Sequence, residues 1–336
     1  MRMILLLGGA GFVGSCVAHN LLQQRYGLVI IDLFLHHQSV VLPGAVIIRG
    51  DFGDEQLLKT IFTTYDIAAV MHFAAYIEVG RSVHEPAAFY ENNVVKTKRL
   101  FDVMLAYGVK RIVFSSSCAI YAPLFSAEKL TESHQLNPLS PYGKTKCAVE
   151  FLLQDYAVAY NFSYVSLRYF NAAGALPEHN LGEQHNPETH VIPLLFKACE
   201  RQEPFTIFGD DYPTPDGSCV RDYIHVRDLA RVHTKALQYL LTGGAALACN
   251  VGSGVGHSVK ELVAVASGIC GQPLATVIKP RRAGDVPFLV ADVSRVQDLL
   301  DWRAEASLPQ IIDDAWQFYQ RKQLKNNAAA LNLENS

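Results

Sequence analysis

Tyr142 and Lys146 are the two side chains of this sequence best suited to move a proton. They are four residues apart, so they share one face of a helix, and Pro141 is typical of a helix start. A free phenol has a pKa of about 10, and a neighbouring ammonium, together with a positively charged ligand, is expected to lower that pKa toward working pH. The pair therefore predicts a general base, although an amphipathic helix with a surface lysine has the same spacing.

Three serines, Ser115–Ser117, lie at the end of an apolar run that begins at Arg111. If that run is a strand, these hydroxyls lie at its carboxyl end, where open α/β sheets bind their ligands. Ser117 is predicted to hydrogen-bond the hydroxyl that reacts with Tyr142. A serine-rich turn without a chemical role is the alternative.

A glycine-rich loop follows the first apolar run, with Gly8, Gly11 and Gly14 in a G-x-x-G-x-x-G pattern. Such a loop lets the backbone approach a pyrophosphate, whose charge then lies at a helix N-terminus. The third glycine allows close packing of the helix on the strand. Taken alone, the pattern also fits a plain tight turn.

Asp32 ends the second apolar run, 21 residues after Gly11. An acidic residue at about this distance hydrogen-bonds a ribose 2′-hydroxyl in dinucleotide-binding folds. No Arg or Lys occurs among residues 33–37, so nothing cationic is available to accept a 2′-phosphate. Together, the loop and Asp32 predict NAD rather than NADP; alone, Asp32 could be an incidental carboxylate.

Strand and helix patterns alternate through the first 170 residues, which predicts a doubly wound parallel sheet of the Rossmann-like α/β class. The predicted strands are Met3–Leu7, Leu28–Asp32, Ala45–Arg49, Ala69–Phe73, Arg111–Ser115 and Tyr164–Arg168, and the predicted helices are Phe12–Tyr26, Gln56–Tyr65, Ala88–Tyr107 and Pro141–Tyr160. We assign residues 1–172 to an NAD-binding domain with a returning segment near 223–252. A smaller mixed α/β substrate domain is assigned to 173–325, and a frayed tail to 326–336.

Composition excludes several classes of protein. The chain has 336 residues, of which 50% are hydrophobic and 18% charged, so it can form a large core. A net charge of −3 gives no broad basic footprint for nucleic acid. No apolar run approaches the roughly 18 residues of a membrane span. Seven cysteines without a CxxC pair indicate reduced thiols and a cytoplasmic protein. No metal site is expected from the sequence.

Longer motifs resemble the extended short-chain dehydrogenase/reductases and, among them, the UDP-glucose 4-epimerase family, from residue 1 to about 322. The motifs that carry this resemblance are GGAGFVGS (8–15), HFAA (72–75), VGRSV (79–83), NNV (92–94), SSSCAIY (115–121), SPYGKTK (140–146), LRYFNAAG (167–174), GDDYPTPDG (209–217), VRDYIHV (220–226), NVGSGVG (250–256) and RRAGD (281–285). The resemblance implies interconversion of UDP-glucose and UDP-galactose through a transient 4-keto sugar.

The resemblance also implies a role for individual residues. Tyr142, Lys146 and Ser117 match catalytic positions. The cofactor positions are Gly8, Gly11, Phe12, Val13, Gly14, Asp32, Asp51, Phe52, Phe73, Ala74, Asn92, Ser115, Tyr142, Lys146 and Phe170. The substrate positions are Ser117, Tyr142, Asn171, His190, Phe208, Arg221, Arg282, Asp285 and Leu289. Bidentate arginines suit the phosphate oxygens of a UDP-sugar, although Arg221 and Arg282 could equally be surface charges.

Three positions depart from the pattern of some family members. A cofactor-contacting lysine is Ile77 here, an asparagine at the uracil side is His190, and a bulky aromatic that crowds the C2 substituent of the sugar is Leu289. The smaller leucine leaves room for an N-acetyl group. A 4-epimerase of UDP-N-acetylhexosamine or of a UDP-pentose is therefore an alternative.

Other activities of related enzymes remain as alternatives. A nucleotide-sugar 4,6-dehydratase carries an Asp-Glu pair after the serines, where this chain has Cys118-Ala119. Another NAD-dependent reductase is a further alternative, and so is an idle NAD-binding regulatory protein, which would have lost Tyr142 or Lys146. Relatives dimerise through the helices predicted at Ala88–Tyr107 and Pro141–Tyr160, so a homodimer is expected.

Overall fold

The computed structural model describes residues 2–35, 42–185, 187–282 and 284–334. Its strands are β1 (Met3–Leu7), β2 (Gly27–Asp32), β3 (Ala45–Arg49), β4 (Ile67–His72), β5 (Arg111–Ser117), β6 (Ser163–Tyr169), β7 (Asn171–Ala173), β8 (Ala175–Leu176), β9 (Leu181–Gly182), β10 (Phe205–Phe208), β11 (Val220–His225), β12 (Leu247–Val251), β13 (Gly256–Ser258), β14 (Thr276–Lys279) and β15 (Phe288–Leu289).

The helices alternate with these strands through the first half of the chain. They are α1 (Phe12–Gln23), α2 (Glu55–Thr64), α3 (Val79–His84), α4 (Pro86–Tyr90), α5 (Lys96–Ala106), α6 (Pro141–Tyr160), α7 (Val191–Arg201), α8 (Val226–Leu241), α9 (Val259–Cys270), α10 (Ser294–Leu300) and α11 (Leu308–Glu334). A π-helical segment (Glu91–Val95) joins α4 to α5.

Seven parallel strands form the main sheet in the order β12-β6-β5-β4-β1-β2-β3. The chain moves outward from β1 to β3 and then returns to the other side of β1 with β4. The order therefore reverses between β1 and β4, which is where open α/β sheets bind ligands at the carboxyl ends of their strands. The doubly wound parallel sheet predicted from the sequence is confirmed, and β12 joins it as its last strand.

Both faces of the sheet are buried, which explains why its strands are continuously apolar. In β1, Ile4 and Leu6 pack against α1 and α8 on one face, and Leu5 and Leu7 pack against α2, α5 and α6 on the other. Side chains alternate between the faces of a strand, so both sets must be hydrophobic when helices cover both sides. This packing fixes the strand ends that carry the candidate site.

The second part of the chain builds smaller sheets beside the carboxyl edge of the main sheet. β11 pairs with β7, β13 and β15, β10 pairs with β14, and β8 forms a hairpin with β9. A separate apolar core lies among α7, α9 and the start of α11. Within the described residues, no helix has the length and apolar character needed to span a membrane.

One element differs from the sequence-based expectation. The helix predicted over Ala88–Tyr107 is divided by the π-helical segment, where Asn93 accepts from Tyr76 N at 2.8 Å and donates to Tyr76 O at 2.9 Å. Such a side-chain anchor is a local tertiary contact that helical periodicity does not reveal.

Candidate active site

The predicted catalytic residues meet at the end of β5 and the start of α6. Helix α6 begins at Pro141, and Ser140 caps it by accepting from Gly143 N at 3.1 Å. A Cβ atom on Gly143 would lie 2.2 Å from the carbonyl oxygen of Ala119, so only glycine allows α6 to approach the turn after β5 this closely. This approach brings the Tyr142 phenol close enough to the Ser117 hydroxyl for that hydroxyl to influence its pKa.

Burial is the largest influence on the pKa of Tyr142. It raises this pKa well above the ordinary tyrosine value, and the neighbouring Tyr169 adds to the rise. The Ser117 hydroxyl lowers the pKa but does not offset burial. That Lys146 and a positively charged cofactor together bring the phenol toward working pH stays a prediction, because the chain's own groups do not outweigh the loss of solvation. Formation of a phenolate needs an additional positive charge close to the ring.

Lys146 is buried one helical turn after the tyrosine. Its ammonium donates to the carbonyl oxygen of Ser115 at 2.8 Å and lies 4.9 Å from the ring centre of Phe114. Burial lowers the pKa of Lys146 to about 7, although the carboxylate of Glu150 acts in the opposite direction. Lys146 can therefore exchange a proton near neutral pH, and its position is fixed by the strand that carries the serines.

A change of Lys146 to methionine tests this burial through stability. The native state of the wild type releases the Lys146 proton near pH 7, whereas the unfolded chain keeps it to about 10.4, so wild-type stability rises between these values. The variant lacks this rise. We expect the free energy of unfolding of the variant to exceed that of the wild type by a few kcal/mol at pH 6.5, at about 1.4 kcal/mol per pKa unit. This difference in stability should be smaller at pH 9.5.

Urea denaturation of nucleotide-free protein at several pH values measures this effect. The matched control is Lys144→Met, on the exposed face of the same helix, which keeps the wild-type pH dependence. If the free energy of unfolding of Lys146→Met changed with pH as that of the wild type does, the lowered pKa of a buried Lys146 would be contradicted.

The glycine loop has the form that a dinucleotide requires. A Cβ atom on Gly14 would lie 2.2 Å from the carbonyl oxygen of Gly8, so glycine is needed for the loop to fold back on α1. Gly11 is the N-cap of α1 and has no side chain to occupy the first-turn amides, which leaves that helix end to an anion. Phe12 and Val13 form the first turn. The loop and helix end fit a pyrophosphate.

Asp32 lies beside this loop at the end of β2. Its carboxylate accepts from Ala10 N at 3.0 Å and from Phe34 N at 2.7 Å, which fixes the side chain at the loop. A carboxylate has lone pairs for about four hydrogen bonds, so it can also accept from ribose hydroxyls. Part of the segment used to favour NAD over NADP, residues 36 and 37, lies outside the described residues.

Two of the predicted cofactor positions, Asp51 and Phe52, lie in a cluster after β3. Asp51 accepts from Lys96 Nζ at 2.6 Å and from Gly53 N at 2.8 Å, and Lys96 also donates to Asn92 Oδ1 at 3.3 Å. Burial raises the pKa of Asp51, but these hydrogen bonds outweigh it and hold the pKa below its usual value. Lys96 also lies 5.9 Å from the ring centre of Phe52. Sequence reasoning missed Lys96. Its position four residues after Asn92, on the same helix face, was the signal that could have identified it.

The remaining cofactor positions lie along the same edge of the sheet. Phe73 and Ala74 follow β4, and Phe170 follows β6. Sequence reasoning missed two neighbours of Ser115: Tyr169, whose pKa the Ser115 hydroxyl lowers, and the buried His233, whose Nε2 lies 3.4 Å from Ser115 Oγ. His233 belongs to α8, far along the chain, so no local pattern signals its presence here.

Most predicted nucleotide-sugar residues gather around β11. Asp285 accepts from Arg282 Nε at 2.9 Å and lies 3.5 Å from Arg221 Nη2, so one carboxylate holds both guanidinium groups. The Arg282 guanidinium lies 4.9 Å from the ring centre of Phe208. Leu289 pairs with Arg221 across the β11–β15 ladder. The arrangement brings two cations, a carboxylate and an aromatic face together.

Asn171 and His190 lie apart from this group in the chain. Asn171 Nδ2 donates to the carbonyl oxygen of Asp222 at 2.8 Å, which links β7 to β11. His190 is the N-cap residue of α7, and its Nδ1 lies 2.8 Å from Glu188 Oε1. Burial lowers the pKa of His190, but Glu188, Glu183 and Glu78 together raise it above the usual value.

Comparisons of the chain with family models, related sequences and solved structures agree on one family. The NAD dependent epimerase/dehydratase family matches residues 4–252. The chain is 43% identical over 318 residues to a UDP-glucose 4-epimerase of Halalkalibacterium halodurans, covering 94% of this chain and 95% of that one. A solved UDP-glucose 4-epimerase from Brucella ovis in complex with NAD is 41% identical, with a TM-score of 0.90 over 94% of this chain and 98% of that one. One from Bifidobacterium longum in complex with NAD+ and UDP is 33% identical, with a TM-score of 0.89 over 95% and 98%.

Proposed function

The chain belongs to the NAD-dependent epimerase/dehydratase family, and on that premise we propose that it is a UDP-glucose 4-epimerase that interconverts UDP-glucose and UDP-galactose. The observation that carries the proposal is the meeting of Tyr142, Ser117 and Lys146 at the carboxyl edge of the sheet, beside the glycine loop. The 43% identity over nearly the whole chain points to the same reaction.

NAD is the cofactor, held by the glycine loop, Asp32 and the residues at the ends of β3 to β6. When bound and oxidised, it supplies a hydride acceptor and a positive charge. Tyr142 then has the role of taking the proton from the 4-hydroxyl of the sugar, while Ser117 orients that hydroxyl. Because the product differs from the substrate only in configuration at C4, Tyr142 must also return the proton. Lys146 stabilises the ionised phenol.

The protein must hold the nucleotide firmly while the sugar turns. Arg221 and Arg282 suit the two phosphate groups of UDP, because guanidinium groups match phosphate oxygens in bidentate geometry. Asp285 places the two arginines, and Phe208 lies against one of them. Binding energy from this remote part of the substrate can serve the reaction at C4 without fixing the ring.

A direct assay tests the function. The purified protein is incubated with UDP-galactose, and the appearance of UDP-glucose is followed by ¹H NMR, with Tyr142→Phe protein prepared identically to exclude a contaminating host enzyme. Equilibration of the two sugars by the wild type supports the proposal. Unchanged UDP-galactose in the presence of added NAD would contradict it.

Acceptance of N-acetylated substrates is a second candidate, favoured by Leu289. This residue lies on β15 opposite Arg221, at the position where some relatives carry a larger aromatic side chain. The same assay with UDP-N-acetylglucosamine separates the two possibilities. Conversion of both sugars at similar rates supports the wider specificity, and conversion of UDP-glucose alone excludes it.

The proposal includes a homodimer formed through α6 and its neighbours. Phe151, Val158 and Tyr160 of α6 are exposed by 51%, 86% and 43%. Large apolar side chains on one helix are suited to pairing with a second copy across a two-fold axis. A cytoplasmic location is proposed on the basis of the seven cysteines, all of which are free.

Phe151→Asp is expected to convert the dimer to a monomer, because a charge placed at the centre of an apolar interface loses its solvation on pairing. Size-exclusion chromatography with light scattering measures the mass. Phe125→Asp, at an apolar side chain exposed by 70% on a loop, serves as the control and leaves the mass unchanged. A monomeric wild type, or a dimeric Phe151→Asp variant, would place the interface elsewhere or exclude it.

A further inference from the structure

Two histidines and a glutamate converge between β9 and α7, outside the catalytic centre. Glu183, His185 and His190 each offer one donor atom, and the three atoms lie within 4.8 Å of one another. Nδ1 of His185 contacts Oε1 of Glu183 directly. In the neutral ring, Nδ1 either donates a proton to this carboxylate or, in the other tautomer, has a lone pair that a cation between the two atoms would accept.

The backbone fixes the carboxylates that surround these histidines. Glu183 Oε1 accepts from Gln184 N at 3.0 Å and from His185 N at 3.2 Å. Glu188 Oε1 accepts from Thr189 N and His190 N, both at 2.8 Å. The side chains of Glu183 and Glu188 are 11% and 6% exposed. Preorganised, largely buried carboxylates of this kind lose little entropy when they hold an ion.

Glu188 contacts His190 in the way that a carboxylate commonly contacts the outer nitrogen of a metal-bound histidine. Its Oε1 lies 2.8 Å from Nδ1 of His190. In the tautomer with its proton on Nδ1, this nitrogen donates to Glu188, and Nε2 has a lone pair for a ligand. A carboxylate on the far side of a ligating imidazole fixes its tautomer and raises its basicity.

The charge of the surroundings favours a divalent cation. The negative charges of Glu78, Glu183 and Glu188 all raise the pKa of His190. Glu183 and Glu188 also raise the pKa of Lys322. The carboxylates of Glu183 and Glu188 are largely removed from water. Burying a carboxylate is costly unless a cation or hydrogen-bond donors face it, and a bound cation would face both.

We propose that Glu183, His185 and His190 form a binding site for a divalent transition-metal ion of the zinc class, with Glu188 holding His190 from outside the coordination shell. Two imidazole nitrogens and a carboxylate oxygen are a ligand set that zinc accepts in proteins. The ion ties β9 to the N-terminus of α7. It takes no part in the chemistry at C4 of the sugar, so the proposal stands independently of the epimerase activity.

Zinc binding by the full chain tests the proposal. Protein treated with a chelator and dialysed is titrated with zinc in competition with a chromophoric chelator. We expect about one equivalent per chain and a zinc-dependent rise in the melting temperature. The double variant His185→Gln/His190→Gln should lose both effects, and Glu188→Gln should weaken binding by about 10- to 100-fold.

A matched control is available on α9. His257 Nδ1 lies 2.7 Å from Glu261 Oε1, which is a histidine–glutamate pair outside the proposed site. His257→Gln should bind zinc like the wild type. Failure of the wild type to bind zinc, or binding by the double variant equal to that of the wild type, would overturn the proposal. If the double variant does not fold, the affinity of Glu188→Gln decides, and an affinity equal to that of the wild type overturns it.

Discussion

Replacing Tyr142 by phenylalanine is expected to lower kcat for UDP-galactose by about 10²- to 10⁴-fold, the range ascribed to a general acid–base group. The change removes one oxygen atom from a side chain that is 9% exposed, so the loss of turnover does not come from a loss of fold. Arg221 and Arg282 stay in place, and KM should therefore change much less than kcat. Initial rates from the NMR assay, together with a melting curve, measure both effects.

Tyr160→Phe provides the matched control for this prediction. Tyr160 ends the same helix, is 43% exposed and lies more than four turns from Tyr142 along α6. Loss of its hydroxyl should leave kcat within about twofold of the wild type, since surface changes away from the site have small effects. Near-wild-type turnover by Tyr142→Phe would refute the role of the phenol as the proton acceptor.

The pKa of Tyr142 bears on how the reaction is controlled. The groups of the chain itself leave the phenol protonated, because burial raises its pKa more than Ser117 lowers it. Lys146, whose pKa is lowered to about 7, is poised to lose or gain a proton in the same region. In the proposed mechanism, Tyr142 loses its proton only when a positively charged cofactor is bound, which avoids unproductive proton transfer. This dependence on the cofactor follows from the burial of Tyr142, not from the spacing of Tyr142 and Lys146.

Much of the fold could be predicted from local patterns. The helix Pro141–Tyr160 has the predicted bounds, since a proline at the first helical position and a serine cap fix its start and Asn161 with a φ of 59° ends it. The strands of the main sheet were found because burial on both faces makes them continuously apolar. Their ends in turn indicated the positions of Ser117 and Asp32.

Contacts between distant residues could not be predicted in this way. The π-helical segment depends on Asn93 reaching Tyr76, and the cluster of Glu183, His185 and His190 depends on how one loop folds back. His233 reaches Ser115 from 118 residues away. Each of these pairings is decided by tertiary packing, so a sequence pattern carries no sign of it.

A buried ion pair behind the catalytic strand is expected to control stability. Glu150 of α6 accepts from Arg168 Nη2 at 2.6 Å and from Ser116 Oγ at 2.5 Å, and the two charged side chains are 2% and 5% exposed. Arg168 Nη1 also donates to Tyr121 OH at 3.0 Å, and that hydroxyl donates to Asn250 Oδ1 at 2.6 Å. The network joins α6, β5, β6 and β12.

Glu150→Gln should therefore destabilise the protein by about 3–5 kcal/mol, because it leaves the Arg168 guanidinium buried without a counter-charge. Urea denaturation measures the loss. Glu55→Gln is the matched control: it breaks the exposed pair with Lys59, at 55% and 45% exposure, and should cost less than about 1 kcal/mol. The double variant Glu150→Leu/Arg168→Met should recover part of the lost stability, since it removes both charges and keeps the volume filled. A Glu150→Gln variant as stable as Glu55→Gln would show that solvent or another group satisfies Arg168, and the pair would then not be what holds α6 against β5.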